Sequence, residues 1–184
     1  MRAARSIAIR LRASPPISAA SLASIYHAVS KEHLHRYFSE HEWQRVKDTG
    51  GMISVAPQVE LQMGHGWPPV NKARQFGLRP GLSIDVVTTV PGDMFTQIRA
   101  AFGAERARVN ALTWESGEPT PENMLTARDM LTMATLDGAH VAGVDDRTGS
   151  LTPGKQADLV VIDARAIGMA PVHDPVAAVT LSAA

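Results

Sequence analysis

One carboxylate set inside a short apolar run constrains this chain more than any other feature. The run from Leu82 to Val87 is entered through Pro80 and Gly81 and closed by Pro91 and Gly92. A strand covered on both faces reads as such a run between turn residues. Asp85 interrupts it, and a buried carboxylate must be paired, hydrogen-bonded or metal-bound. On spacing alone two readings stay open. Asp85 is a functional group at a strand tip, or it lies just past the strand and caps the helix that starts near Asp93 or Met94.

The flanking sequence supplies a rhythm. Ser39 followed by Glu42 forms a capping box, and Gly50-Gly51 stops the helix between them. Met52 to Ala56 reads as a buried strand ended by Pro57. A long loop from Gln58 to Val70, a short helix over Asn71 to Phe76, the strand near Leu82 to Asp85 and a helix from Met94 to about Asn110 follow. Helix, strand, helix, strand, helix is the order of a parallel α/β fold. Beyond a linker at Ser116 to Pro121, Thr126 caps a helix running to Thr135. A further helical turn covers Asp137 to Val141, Gln156 to Asp163 reads as a strand, and Asp174 begins a last element.

The wording from Gly77 to Asp85, then Asp93 to Arg99, closely resembles the end of the barrel in the amidohydrolase superfamily. The branch is that of cytosine deaminases and triazine chlorohydrolases and deaminases. Gly149 to Asp163 is similar to that family's return into a small β-sandwich. The resemblance implies a partial (β/α)8 barrel, holding the last β/α units, with part of the sandwich appendage. A whole barrel takes about 200 to 250 residues, and the chain has 184, so a truncated barrel is expected. The expected division is an unmatched leader over 1–32, barrel over 33–145 and the start of the sandwich over 146–184.

The resemblance also implies chemistry: hydrolysis of a C–N bond in a small heterocycle or amide, with one divalent metal, zinc or iron. Asp85 would then be metal ligand and proton shuttle. In a parallel barrel, a polar residue at the C-terminal end of a strand reads as catalytic. The family's His-x-His pair and fifth-strand ligand fall upstream of the matching region, and one carboxylate falls short of the three protein ligands usual for catalysis. His33 and His35 are the available substitutes, since residues two apart on a strand share a face. The resemblance gives one of them, His35 foremost, a role near the bound water, with solvated surface histidines as the alternative. His41-Glu42 opens no zinc-protease motif, because Arg45 stands where a second histidine belongs.

Glu60, His65 and Trp67 lie after the strand that ends at Ala56, on the side where barrel loops build pockets. Trp67 would stack on a flat ring while Glu60 or His65 hydrogen-bonds it; otherwise Trp67 packs on the rim of an ordinary loop. His140 and His173 read as structural and Asp145-Asp146 as a turn. Arg79, Arg99, Arg106 and Arg108 read as surface charges.

Zero net charge without a basic cluster argues against nucleic acid. No apolar run approaches the roughly 20 residues of a membrane span. The absence of cysteine excludes disulfides and thiolate metal sites. The Arg-rich start, Met1 to Ser14, is interrupted at Arg10 and Arg12, against a secretory signal, so a cytoplasmic chain is expected. A small-molecule substrate is the expected partner. The alternative is a non-catalytic remnant, or a partial chain whose exposed strand edges call for a homo-oligomer or a complementing polypeptide.

Overall fold

The computed structural model describes the backbone of residues 8–10 and, in full, residues 38–183. The expected helix over Ala19 to Val29, and with it His33 and His35, lies outside the described residues.

Helix α1 (Glu40–Asp48) begins at Ser39. The Ser39 hydroxyl accepts from the Glu42 N–H, while Glu42 Oε2 accepts from the Ser39 N–H at 2.7 Å. This is the expected capping box. The helix buries Trp43 and Val46 and gives way to Gly50, whose φ of +65° suits glycine. Strand β2 (Met52–Val55) then pairs in parallel with β3 (Gly81–Leu82), Ser54 opposite Gly81 and Val55 opposite Leu82. On its other edge β2 meets β1 (Ala8–Arg10), antiparallel, with Ile9 opposite Ile53.

Two helices cross from β2 to β3. Pro57 does not open a loop: it is the first residue of α2 (Pro57–Gln62), where its missing N–H is no loss. The expected long loop thus shrinks to the stretch before α3 (Val70–Gln75). Trp43 ties this unit together, edge-on to Phe38 at 5.2 Å and stacked with Phe76 at 5.9 Å. Val46, Ile53, Val55, Ala73 and Leu82 complete the cluster with Ile98, Met130 and Met133 from later helical segments and Leu125 from the loop before Thr126.

Helix α4 (Met94–Ser116) starts at Asp93, which accepts from the Thr96 N–H at 2.7 Å, and ends at left-handed Gly117. Asp93, not Asp85, is therefore the cap of this helix. Burial is concentrated in its first half, at Gln97, Ile98, Ala101, Ala104 and Glu105; Trp114 is 89% exposed. Helix α5 (Ala127–Thr132), capped by Thr126, passes through a π-helical turn (Met133–Asp137) into α6 (Gly138–Ala142). The start of α6 lies against β3 so closely that a Cβ on Gly81 would sit 3.1 Å from the Gly138 Cα. Asp137, at the end of the π-helical turn, binds Arg79 at 2.6 Å.

Two expected strands differ. The ladder of β3 stops at Leu82, with one further bond from the Ser83 N–H to the Val55 carbonyl at 2.8 Å. Its neighbour turns into α2 after Val55, so Ile84 to Val87 have no strand to pair with, and Val86 and Val87 are exposed. Asp85 is accordingly exposed and sits at φ +65° rather than inside a buried strand. Gln156 to Asp163 is not a strand either; Val161 is 94% exposed, because no neighbouring strand among the described residues offers it a ladder. The last element is a helix, α7 (Pro175–Ser182), begun by Asp174 at the cap and Pro175 at the first position. It docks on α5 through Thr180, whose hydroxyl donates to the Ala127 carbonyl at 3.2 Å. Arg99 on α4 holds its end by donating to the Ala183 carbonyl at 2.5 Å. Arg99 is thus a docking residue, not a free surface charge; Arg106 likewise reaches off the helix to the Leu125 carbonyl, whereas Arg108 pairs with Glu105 along the helix itself. No described helix is long and apolar enough to cross a membrane.

Candidate functional site

Parallel pairing puts the C-terminal tips of β2 and β3 side by side, and the chain leaves both at the same end of the sheet. After β2, Ala56 turns the chain and α2 begins at once, so Glu60 falls on its opening turn. Its side chain reaches back to accept the Ala56 N–H on Oε1 at 2.8 Å. That bond satisfies one of the donors a helix start leaves open. Glu60 is only 1% exposed, and its Oε2 has no hydrogen-bond partner. Burial pushes its carboxyl up to about 7; the Ala56 N–H pulls the other way, and the charge of Asp85 adds to the rise. The charge of Asp85, in the segment after β3, thus reaches Glu60 on the helix after β2, as the smallest of the three influences.

Asp85 is held in the left-handed region, where Asp is among the few non-glycine residues tolerated. From the same segment Ile84 and Val90 turn inward and pack on Ala56 and Val59. The irregular stretch after β3 thus lies against the first turn of α2, with Asp85 to Thr89 turned to solvent.

The other expected site residues are placed less closely. The His65 N–H donates to the Glu60 carbonyl at 2.8 Å, which ties the loop to the end of α2, while its ring is half-buried. Trp67 is 38% exposed, open enough for a ring to stack on it. His140 bonds Asp145 at 2.8 Å near the Arg79–Asp137 pair, and Arg79 precedes β3, so this group lies at the opposite end of the strands.

Gln97 was not singled out by the sequence. It is fully buried on α4 and clamps Gln58 twice. The Gln58 N–H donates to Gln97 Oε1, and Gln97 Nε2 donates to Gln58 Oε1, both at 3.1 Å. The clamp joins the helix after β2 to the helix after β3 and so fixes Glu60 against the Asp85 segment. Its only trace in the sequence is one amide among the apolar residues that face the core from α4.

Among the described residues no group of three His, Asp or Glu side chains is arranged to hold a metal. Asp85, even joined by Glu60, falls short of the usual three ligands; the described residues alone do not fit a catalytic metal.

The model of the amidohydrolase family matches residues 19–183. A 5-methylthioadenosine/S-adenosylhomocysteine deaminase of Symbiobacterium thermophilum is 34% identical over 136 residues, 74% of this chain and 29% of that protein. The solved adenosine deaminase from Xanthomonas campestris, with bound zinc, is 26% identical at a TM-score of 0.67, covering 79% of this chain and 31% of that one. A variant atrazine chlorohydrolase of Arthrobacter aurescens, complexed with zinc and atraton, is 25% identical at a TM-score of 0.66, covering 82% and 31%. The chain thus spans under a third of the length of these relatives. A partial (β/α)8 barrel fits the solved relatives, of which β2 and β3 are the one parallel pair described.

Proposed function

The chain belongs to the amidohydrolase family, and on that premise we propose that it forms part of a deaminase-type hydrolase acting on non-peptide C–N bonds of a small heterocycle or amide. The observation that carries this reading is the pair of carboxylates, Glu60 and Asp85, in the two segments that follow the C-terminal ends of the parallel strands, with the charge of Asp85 adding to the raised pKa of Glu60. Catalytic groups in parallel barrels gather at that end.

Asp85 is the proton carrier in this reading. As water adds to the ring carbon, Asp85 accepts the water proton; the C–O bond forms, the C–N bond breaks, and the proton passes to the departing nitrogen as ammonia or an amine. His35, or His33, polarises the water, while Glu60, His65 and Trp67 receive the ring. One divalent metal, zinc or iron, completes the parent family's site. Zinc in the solved relatives supports it there, whereas the described residues of this chain offer too few donors to hold it. The division into leader (1–32), barrel part (33–145) and approach to a sandwich (146–184), and a cytoplasmic location, belong to the same proposal.

A second reading has its own support. Nothing among the described residues pairs with the outer edge of β3, and Val87 beside it is 70% exposed. Unpaired edges invite pairing with another chain, so a homo-oligomer or a complementing polypeptide would close the site.

Ammonia release from a panel of amino-substituted pyrimidines, purines and triazines, compared between wild type and Asp85→Asn, tests the hydrolase reading. Release that Asp85→Asn abolishes is expected. No release from the wild type, with or without added zinc, removes the reading for this chain alone and leaves the complementation reading.

A further inference from the structure

Gln97 is wholly buried one turn into α4, beside Ile98 and Ala101. A buried amide costs free energy unless its hydrogen bonds are made. Both of its polar atoms go to one residue, 39 positions earlier: Oε1 accepts the Gln58 N–H, and Nε2 donates to Gln58 Oε1, both at 3.1 Å. That N–H is the first backbone donor of α2. Ala56, at the cap, has no side chain that could accept it, and Pro57 has no N–H. A donor that a capping serine or aspartate would ordinarily take is thus taken by a side chain from another helix.

The other end of this support is fixed as well. Asp93 caps α4 with both carboxylate oxygens on Thr96, accepting from its N–H and from its hydroxyl at 2.7 Å each, and Gln97 follows at once. Asp93 also ends the irregular stretch that leaves β3 and carries Asp85. We propose that Gln97 is the positioning residue of the candidate site: a cap supplied in trans that holds the opening turn of α2, and with it Glu60, beside the Asp85 segment. Gln97 acts through Gln58 and the turn from Ala56 to Glu60 and takes no part in the reaction itself. The inference goes beyond the hydrolase reading, and only its kinetic consequence rests on that reading.

The turn needs such a hold. With six residues, α2 has few internal bonds to resist fraying. The bond from the Ala56 N–H to Glu60 Oε1 spans the same turn at 2.8 Å, so it is lost when the turn opens. Ile84 and Val90 pack on Ala56 and Val59, but apolar contact is non-directional. It keeps the two segments together without fixing which way the Glu60 carboxyl faces. The Gln97 amide, bonded at two points, supplies that direction.

Amide hydrogen exchange, read by NMR on the full chain, tests this in wild type and Gln97→Met. Methionine fills the same core space and removes both bonds. Exchange at Ala56 and Gln58 should speed up by roughly tenfold more than at Ala101 in the interior of α4, in line with lost hydrogen bonds at the turn. Unchanged exchange at Ala56, or equal acceleration at all three amides, would overturn the inference, the latter because it reports only global loss of stability. In the wild type itself Ala56 and Gln58 should be protected alike, since one opening frees both. An unprotected Gln58 overturns the inference even if the variant does not fold. Ammonia release on the same samples separates the two ideas. Where the wild type releases ammonia, Gln97→Met should raise KM by about tenfold and keep kcat within about twofold, because Glu60 receives the ring while Asp85 carries the proton. A fall in kcat at unchanged KM would overturn the positioning role. No release from the wild type removes the hydrolase reading alone, and the exchange comparison still decides whether Gln97 holds Glu60.

Discussion

Replacing Glu60 by Gln should change how stability depends on pH, with a sign opposite to that of most carboxylates. In the folded chain burial raises the Glu60 carboxyl from 4.5 to about 7. Between those values the native state holds a proton that the unfolded chain has released, so stability falls as pH rises through this window. The contribution is fully present below pH 4.5 and gone above pH 7. At about 1.4 kcal/mol for each pH unit, the span amounts to about 3 kcal/mol. Glutamine keeps an oxygen for the Ala56 N–H and does not titrate, so Glu60→Gln should lack this loss. Urea unfolding of both proteins at pH 5, 6, 7 and 8 measures the difference directly. Asp93, Asp145 and Asp163 are pulled below 3.8 by their hydrogen-bond partners and act at lower pH in both proteins. Relative to the wild type, the variant should gain about 3 kcal/mol from pH 5 to pH 8. A difference that stays flat, or a wild type that gains stability over that range, would refute a Glu60 carboxyl raised by burial.

Other perturbations probe the supports of the site. Asp85→Val should cost about 1–2 kcal/mol more than Asp85→Asn, because a β-branched residue resists the left-handed conformation that Asn tolerates; thermal unfolding compares them. Gln97→Leu should destabilise by about 1–3 kcal/mol, since it leaves the Gln58 N–H and amide without partners, and amide exchange at Gln58 should accelerate. Gly149 and Gly154 both sit at positive φ, but a Cβ on Gly149 would meet the Ala139 Cβ at 2.6 Å while Gly154 faces open space. Gly149→Ala should therefore lose more stability than Gly154→Ala by about 1–3 kcal/mol, the usual cost of overpacking.

Local chemistry was legible where side chain and backbone act within a few residues. The Ser39–Glu42 box and the Thr126 cap are read from spacing alone, because each partner lies within one turn. Burial and pairing were not, because they depend on what the rest of the chain brings. The run from Leu82 to Val87 has the composition of a buried strand, yet pairing ends at Leu82, since its one parallel neighbour among the described residues turns into a helix at Pro57. Gln156 to Asp163 carries an apolar run, Leu159 to Ile162, of strand composition and still lies open, for want of a partner among the described residues. Glu60 reads from the sequence as a pocket candidate, whereas its depth and its reach back to Ala56 follow from the Pro57 helix start, in a stretch with the composition of a loop. Gln97 carried no motif, and its role appears only where α4 meets α2.

The most direct test of the strand-tip site is the zinc content of the purified full chain, by elemental analysis after exposure to zinc and removal of excess, beside Asp85→Ala. If Asp85 and histidines outside the described residues, or a second copy of the chain, complete a hydrolytic centre, about one zinc per chain should be retained in the wild type and lost in the variant. Folded wild type that retains none, or a variant that retains as much as the wild type, would contradict Asp85 as the anchor of that centre.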